Sequence, residues 1–314
     1  MKTESSALLD VGGRFRARGT LEFPALKRGL YSMVLACTFS AAMSALFFLA
    51  FKNEPGLSVR TGSFLRVLAN CLVLSLMVRK KRKSFRFFGN REASLWLWGL
   101  FGTLAVLTFY EGIARSGVAL ASLFQGLSGV VLIAMGPIIL KQKNSFRTWV
   151  ALIGSLAGFV LIKLNSNQPT SFQGLDLCAV SGIAAGLAYL MSAKASKNNS
   201  AEVIMFYWCL FCLIAHLFLW VLTPMQWPMG VSTWIFLLVA SVLASLSQYF
   251  TTVAYALTPA APVASLGYLT PVLGLAIDLL IFRIPHGVTE LVGSMVVIVF
   301  GVWLPFLGAD SVKK

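Results

Sequence analysis

The feature that most constrains this chain is a near-continuous succession of apolar runs, each long enough to cross a membrane. They fall at about 30–51, 57–78, 93–113, 118–140, 146–164, 174–194, 202–222, 232–256, 262–282 and 287–307, with short polar or Gly/Pro interruptions between them. A bilayer core about 30 Å thick takes roughly 20 helical residues per crossing. Hydrocarbon offers backbone N–H and C=O groups no partner, so a buried run of this kind must satisfy them within a helix. The expected fold is an all-α membrane protein with ten transmembrane helices. Composition leaves little for anything else: 58% of the 314 residues are hydrophobic and 12% are charged, with a mean hydropathy of +0.81.

Charge distribution sets the orientation. The net charge is +15, which on a soluble surface would suggest nucleic acid. Here the cations lie in the N-terminal arm and between the spans, where the positive-inside rule accounts for them, and nucleic acid is not expected as a partner. Twenty Lys and Arg fall on the side that holds both termini, seven of them between Arg79 and Arg91, against five on the other side. Both termini are therefore expected in the cytoplasm, with the protein multi-pass in the cell (inner) membrane. No A-x-A-like cleavage site follows the first run, so a cleaved leader is not expected. The organisation reads as a basic arm (1–29), two five-span units (30–165 and 172–308) and a short C-terminus (309–314).

The two units are related. Tyr255 to Phe282 lies without a gap on Ile113 to Leu140 at an offset of 142, pairing Ala114 with Ala256, Leu127 with Leu269, Ala134 with Ala276 and Lys141 with Arg283. The same offset pairs Ala42 with Ala184, Lys52 with Lys194 and Phe64 with Phe206. Five spans per unit is an odd number, so the second copy starts from the opposite side of the membrane. Inverted repeats around a central site allow it to open first to one side and then to the other, which is the architecture of a carrier.

Tyr255-Ala256-Leu257-Thr258-Pro259-Ala260 and Tyr268-Leu269-Thr270-Pro271-Val272 mark a helix reversal and the helix after it. Gly154 and Gly158, then Gly293 and Gly301, enrich the last span of each half. On these residues the chain, over about 30–308, resembles the EamA-type members of the drug/metabolite transporter superfamily. In the first half Gly117 and Gly129 stand where the second half has prolines. The resemblance implies transport of a small metabolite; some members export amino acids, others move nucleotide-linked compounds or S-adenosylmethionine. It carries over no binding residue.

Candidate site residues come from polar groups inside apolar runs. Arg66 lies about two turns into the second span, where a charge costs roughly 2.5 to 3.5 kcal/mol unless it meets a wet cavity or a partner. Ser63 and Asn70 share its helix face. A cation there suits a carboxylate or phosphate, although an Arg snorkelling outward is the alternative. Gln125 and Gln248 are donors and acceptors within the bilayer, suited to substrate or to interhelical bonding. Tyr189, Tyr255 and Tyr268, with Trp208 and Tyr249, can stack on a planar or cationic ligand or anchor the interface. Glu111 has Arg115 one turn away. Asp278, among apolar neighbours, is the better candidate for proton coupling. The Gly pairs read as packing seams.

Other classes are disfavoured. Cys209 and Cys212 form a C-x-x-C without further ligands at metal spacing, and His216 and His286 stand apart, so neither metal nor cofactor is expected. No phosphate-binding loop and no catalytic set is present, so a pump and an enzyme are not expected. The reading is a secondary-active carrier of a small polar metabolite such as an amino acid or S-adenosylmethionine, an exchanger or proton-coupled, as monomer or homodimer. A nucleotide-linked metabolite carrier and a passive channel are the alternatives.

Overall fold

The computed structural model describes residues 23–80, 88–141, 145–164, 174–222, 226–283 and 287–303. Among these every regular element is helical. In chain order they are α1 (Phe23–Asn53), α2 (Val59–Lys80), α3 (Ala93–Gln125), α4 (Leu127–Ile139), α5 (Phe146–Leu164), α6 (Leu175–Ala195), α7 (Ala201–Leu222), α8 (Val231–Leu257), α9 (Ala260–Gly267), α10 (Leu269–Ile277) and α11 (Val288–Val297), with α10 and α11 each running on into a wider π-type turn. Among the described residues seven helices are long and apolar enough to cross a membrane, and Leu127–Ile139, Phe146–Ile162 and Val288–Val302 are shorter apolar ones. These account for the ten expected spans.

The reversal expected at Arg115-Ser116-Gly117 takes place inside continuous helical backbone. Residues before it run antiparallel to α6: Arg115 packs on Gly174 and Gly112 on Cys178, and Ser181 Oγ lies 3.0 Å from the Ala105 carbonyl. Residues after it run parallel to α6, with the Phe124 carbonyl against Gly182 and Val131 against Gly186. The second half breaks openly at the equivalent place, with Thr258 and Pro259 extended. Pro259 and Pro262 lack the N–H that would continue the ladder, whereas the first half keeps every donor there.

The loops segregate to two ends. At one end Glu54 meets Met229 and Gly230, Thr61 donates to the Gln226 carbonyl, and Arg115 abuts Gly174. At the other, Asn90 bonds Asn198 and Asn199, Lys197 reaches the Leu140 carbonyl, and Gly29 packs on Thr258. Thus α1 and α6, the first helices of the two halves, start from opposite ends of the bundle.

The halves exchange contacts. α3 packs along α6 as α1 packs along α8, and α5 with α11 and α2 with α7 pair across the middle. Three details fix the equivalence. Lys141 and Arg283, 142 apart, both end their helices in the left-handed region at φ 54°. Gly126 and Tyr268, also 142 apart, interrupt their helices at the same point. The Tyr268 hydroxyl also donates to the Gly126 carbonyl at 2.5 Å, so the relation between the halves passes between them.

The 142 offset does not hold in the first helix of each half. Gly29 on Thr258 matches Gly174 on Ser116, and Ser247 donating to the Ala36 carbonyl matches Ser181 beside the Ala105 carbonyl. Both matches set α6 against α1 at 145, so Ala42 and Lys52 do not pair with Ala184 and Lys194. The second half is three residues shorter before α8 than the first is before α3. Apolar helices slide past one another without a sequence penalty, which is why an ungapped comparison passed over it.

Glycine seams hold the halves together. A Cβ on Gly158 would stand 2.7 Å from the Gly293 carbonyl oxygen, and one on Gly293 2.6 Å from the Gly158 carbonyl oxygen, so α5 and α11 touch backbone to backbone. Gly102 admits Trp208 and Gly99 admits Phe211 between α3 and α7.

Candidate functional site

Arg66 is half-buried on α2, within the repeat interface. Its guanidinium carbon sits 5.8 Å from the centre of the Trp208 ring on α7. A desolvated contact of this kind is worth up to about 2 kcal/mol, less than the cost of placing the charge in the membrane. Its Nε is buried and makes no hydrogen bond. Among the described residues no carboxylate pairs with it; Glu111 is instead held by Arg60 and Arg115.

Ser63 and Asn70 share the Arg66 face, as the helical spacing requires, and do different things. The imidazole of His216 on α7 places Nδ1 2.8 Å from the Cys212 carbonyl. That nitrogen therefore carries the proton, and Nε2 accepts from the Ser63 hydroxyl at 2.8 Å. A neutral His216 satisfies both contacts, and the pair ties α2 to α7. Asn70 donates back to the Arg66 carbonyl at 2.9 Å, which leaves its Oδ1 buried without a partner.

Beyond Trp208 stands a second group of aromatic faces. Tyr189 on α6 stacks on Tyr255 of α8 with centroids 5.3 Å apart and planes inclined by 26°, and lies 6.4 Å from Trp98 of α3. Arg66 is near enough to act electrostatically on Tyr189. Gln248, two turns before Tyr255 on α8, is half-buried, with its Nε2 lacking a partner. On α6 the buried Ser192 Oγ is in the same state. Five helices from both halves thus present one cation, several π faces and unsatisfied amide and hydroxyl atoms. Buried polar groups left open in this way are rare enough to require an explanation, and a polar ligand supplies one.

The remaining predicted residues lie elsewhere. Gln125 accepts from Ser181 at 2.8 Å, an interhelical bond. Tyr268 is held by the Gly126 carbonyl and packs on Phe159 at 5.4 Å. Glu111 is gripped from both sides inside α3, one turn before the reversal: Arg60 donates from Nε at 3.2 Å and Nη2 at 2.7 Å to Oε2, and Arg115 donates at 3.1 and 3.0 Å to Oε1. The Arg60 contact was not legible, since 51 residues separate the partners. The side chain of Asp278, and His286, lie outside the described residues.

Trp98, His216 and Ser192 are the site-region residues that sequence reasoning passed over or set aside. For Ser192 the only signal would have been its place one turn after Tyr189. Serines in apolar helices usually bond their own i−4 carbonyl, as Ser245 does, so an open serine hydroxyl leaves no mark in the sequence.

Comparison with known proteins follows the same division into halves. The family model described as the EamA-like transporter family matches twice, over residues 27–164 and 173–307. Two curated relatives, from two strains of Helicobacter pylori, are each described as an uncharacterized transporter and are 28% identical over 185 residues. That match covers 57% of this chain and 61% of each relative, so the chain spans under two thirds of their length. A crystal structure titled only as that of a protein superposes with a TM-score of 0.75 at 15% identity, covering 91% of this chain and 98% of the other, and shows the same fold.

Proposed function

The chain belongs to the EamA-like transporter family, and we propose that it is a secondary-active carrier whose substrate presents a carboxylate or phosphate to Arg66. The observation that carries this reading is a guanidinium at the repeat interface, over Trp208, whose buried Nε has no partner. Substrate oxygens would complete it, and Tyr189, Tyr255 and Trp98 would take a planar or apolar part. An amino acid or S-adenosylmethionine has both features. With α1 and α6 starting from opposite ends, the halves act as inverted repeats that rock about this site. Asp278 remains the acid proposed for proton coupling, because two arginines hold Glu111 ionised.

The test is uptake into proteoliposomes with amino acids, nucleosides, nucleotide sugars and S-adenosylmethionine as competitors. Arg66→Gln should abolish saturable uptake at normal expression. Arg66→Lys should restore only part of it, since an ammonium lacks the planar two-point geometry. Full transport by Arg66→Gln would remove Arg66 from the site, and flux without saturation or trans-stimulation would make the protein a channel.

A further inference from the structure

The contact of α1 with α10 and that of α6 with α4 are the same contact made twice, and they close differently. At the offsets the structure sets, Cys37 stands where α6 has Gly182, Thr38 where it has Ile183, Ala41 where it has Gly186 and Ala42 where it has Leu187. On α6 the two glycines bring backbone against backbone: Gly182 meets the Phe124 carbonyl and Gly186 lies 2.8 Å, measured from an added Cβ, from the Ser128 carbonyl. Leu187 then packs against the core. On α1 the Cys37 thiol fills the first of these positions, with Sγ 3.4 Å from the Leu266 carbonyl, and Ala41 adds a methyl at the second. Backbone cannot meet backbone past these two side chains as it does past the glycines, and the small Thr38 and Ala42 leave space beside them.

The result is a groove of about 210 Å³ with Thr38, Ala41 and Ala42 on one wall and Leu273, Ala276 and Ile277 on the other. It opens sideways past Leu280 and Ile281, which are 77% and 68% exposed. Thr38 and Ala42 lie near the middle of the span Leu26–Asn53, at the depth of the hydrocarbon. The Thr38 hydroxyl is engaged by the Val34 carbonyl at 3.0 Å, so the walls offer water and polar solutes little to bond. Apolar spaces of this kind stay dry and take apolar occupants. At that depth the bilayer supplies one in quantity.

We propose that the α1–α10 groove binds an acyl chain of a membrane phospholipid, which wedges one seam between the halves while the equivalent α6–α4 seam is closed by protein alone. The site is separate from the Arg66 centre and does not depend on what the carrier moves.

The experiment is native mass spectrometry of the full chain, with phospholipid quantified after exchange into a mild detergent. The unaltered protein should keep phospholipid on the monomer. Thr38→Ile with Ala42→Leu copies the residues of the closed seam and should lower retention about tenfold, the loss expected when roughly two methylenes give up their burial. Ala42→Val alone, a smaller filling, serves if the double variant does not fold. No phospholipid on the unaltered protein, or equal retention by the filled variants, would overturn the proposal. So would a dimer that filling converts to lipid-free monomer, since a second copy of the chain would then cover the groove.

Discussion

Alanine at Gly293 should destabilise the protein, while alanine at Gly274 should stabilise it, although both glycines lie in helices of the second half. At Gly293 an added Cβ would stand 2.6 Å from the Gly158 carbonyl oxygen and 2.9 Å from Ile162 Cγ1, whereas at Gly274 nothing lies within 4 Å. The obstacle at Gly293 is backbone and cannot rotate away, so α5 and α11 must move apart by several tenths of an ångström. Overpacking of this kind costs about 1 to 3 kcal/mol. At Gly274 the methyl meets open space, and replacing a mid-helix glycine gains roughly 0.5 to 1 kcal/mol. Because Gly158 and Gly293 form one reciprocal contact, Gly158→Ala added to Gly293→Ala should cost much less than it does alone: once the helices separate, the second methyl has room. Thermal unfolding in detergent, followed by tryptophan fluorescence, should show opposite shifts for Gly293→Ala and Gly274→Ala and a sub-additive double variant. Shifts of the same sign, or additivity at the Gly158 and Gly293 pair, would refute the backbone contact.

Three further outcomes are expected. Glu54 accepts from the Gly230 and Met229 amides at 2.6 and 3.1 Å, and these bonds hold its carboxyl below the usual value of 4.5. A depressed folded-state pKa adds stability that is present at neutral pH and lost as pH falls through it, so unfolding between pH 7 and 3 should show an acid-dependent loss that Glu54→Gln lacks. Cys71 on α2 and Cys209 on α7 lie in one core cluster where those helices pack; copper-phenanthroline should join them, block uptake until a reductant is added, and do neither in Cys71→Ser. A reporter fused after Lys314 should read cytoplasmic, and an external reading would undo the charge-based orientation.

The ten apolar spans and their order, though not the boundary between the third and fourth, through which α3 runs, were written in the sequence, because hydrocarbon leaves an apolar run of this length no other structure. The same holds for the repeat and for Arg66 as an exceptional charge, since insertion cost is a property of one residue at one depth. What the tertiary structure decided is which groups meet. Glu111 looked like half of a local pair with Arg115, yet it is shared with Arg60 from another helix. Tyr268, a candidate for stacking, bonds a carbonyl, and Gln125, read as suited to substrate or to interhelical bonding, bonds a serine. His216, set aside as isolated, closes a bond to Ser63. Even the register of the repeat needed contacts: 142 holds for the third and fourth helices of each half and 145 for the first, because leucine, alanine and valine runs match one another at many offsets. Periodicity and burial are summed along one chain and can be read from it, whereas a hydrogen bond or a seam between helices requires two distant segments at a distance that only packing sets.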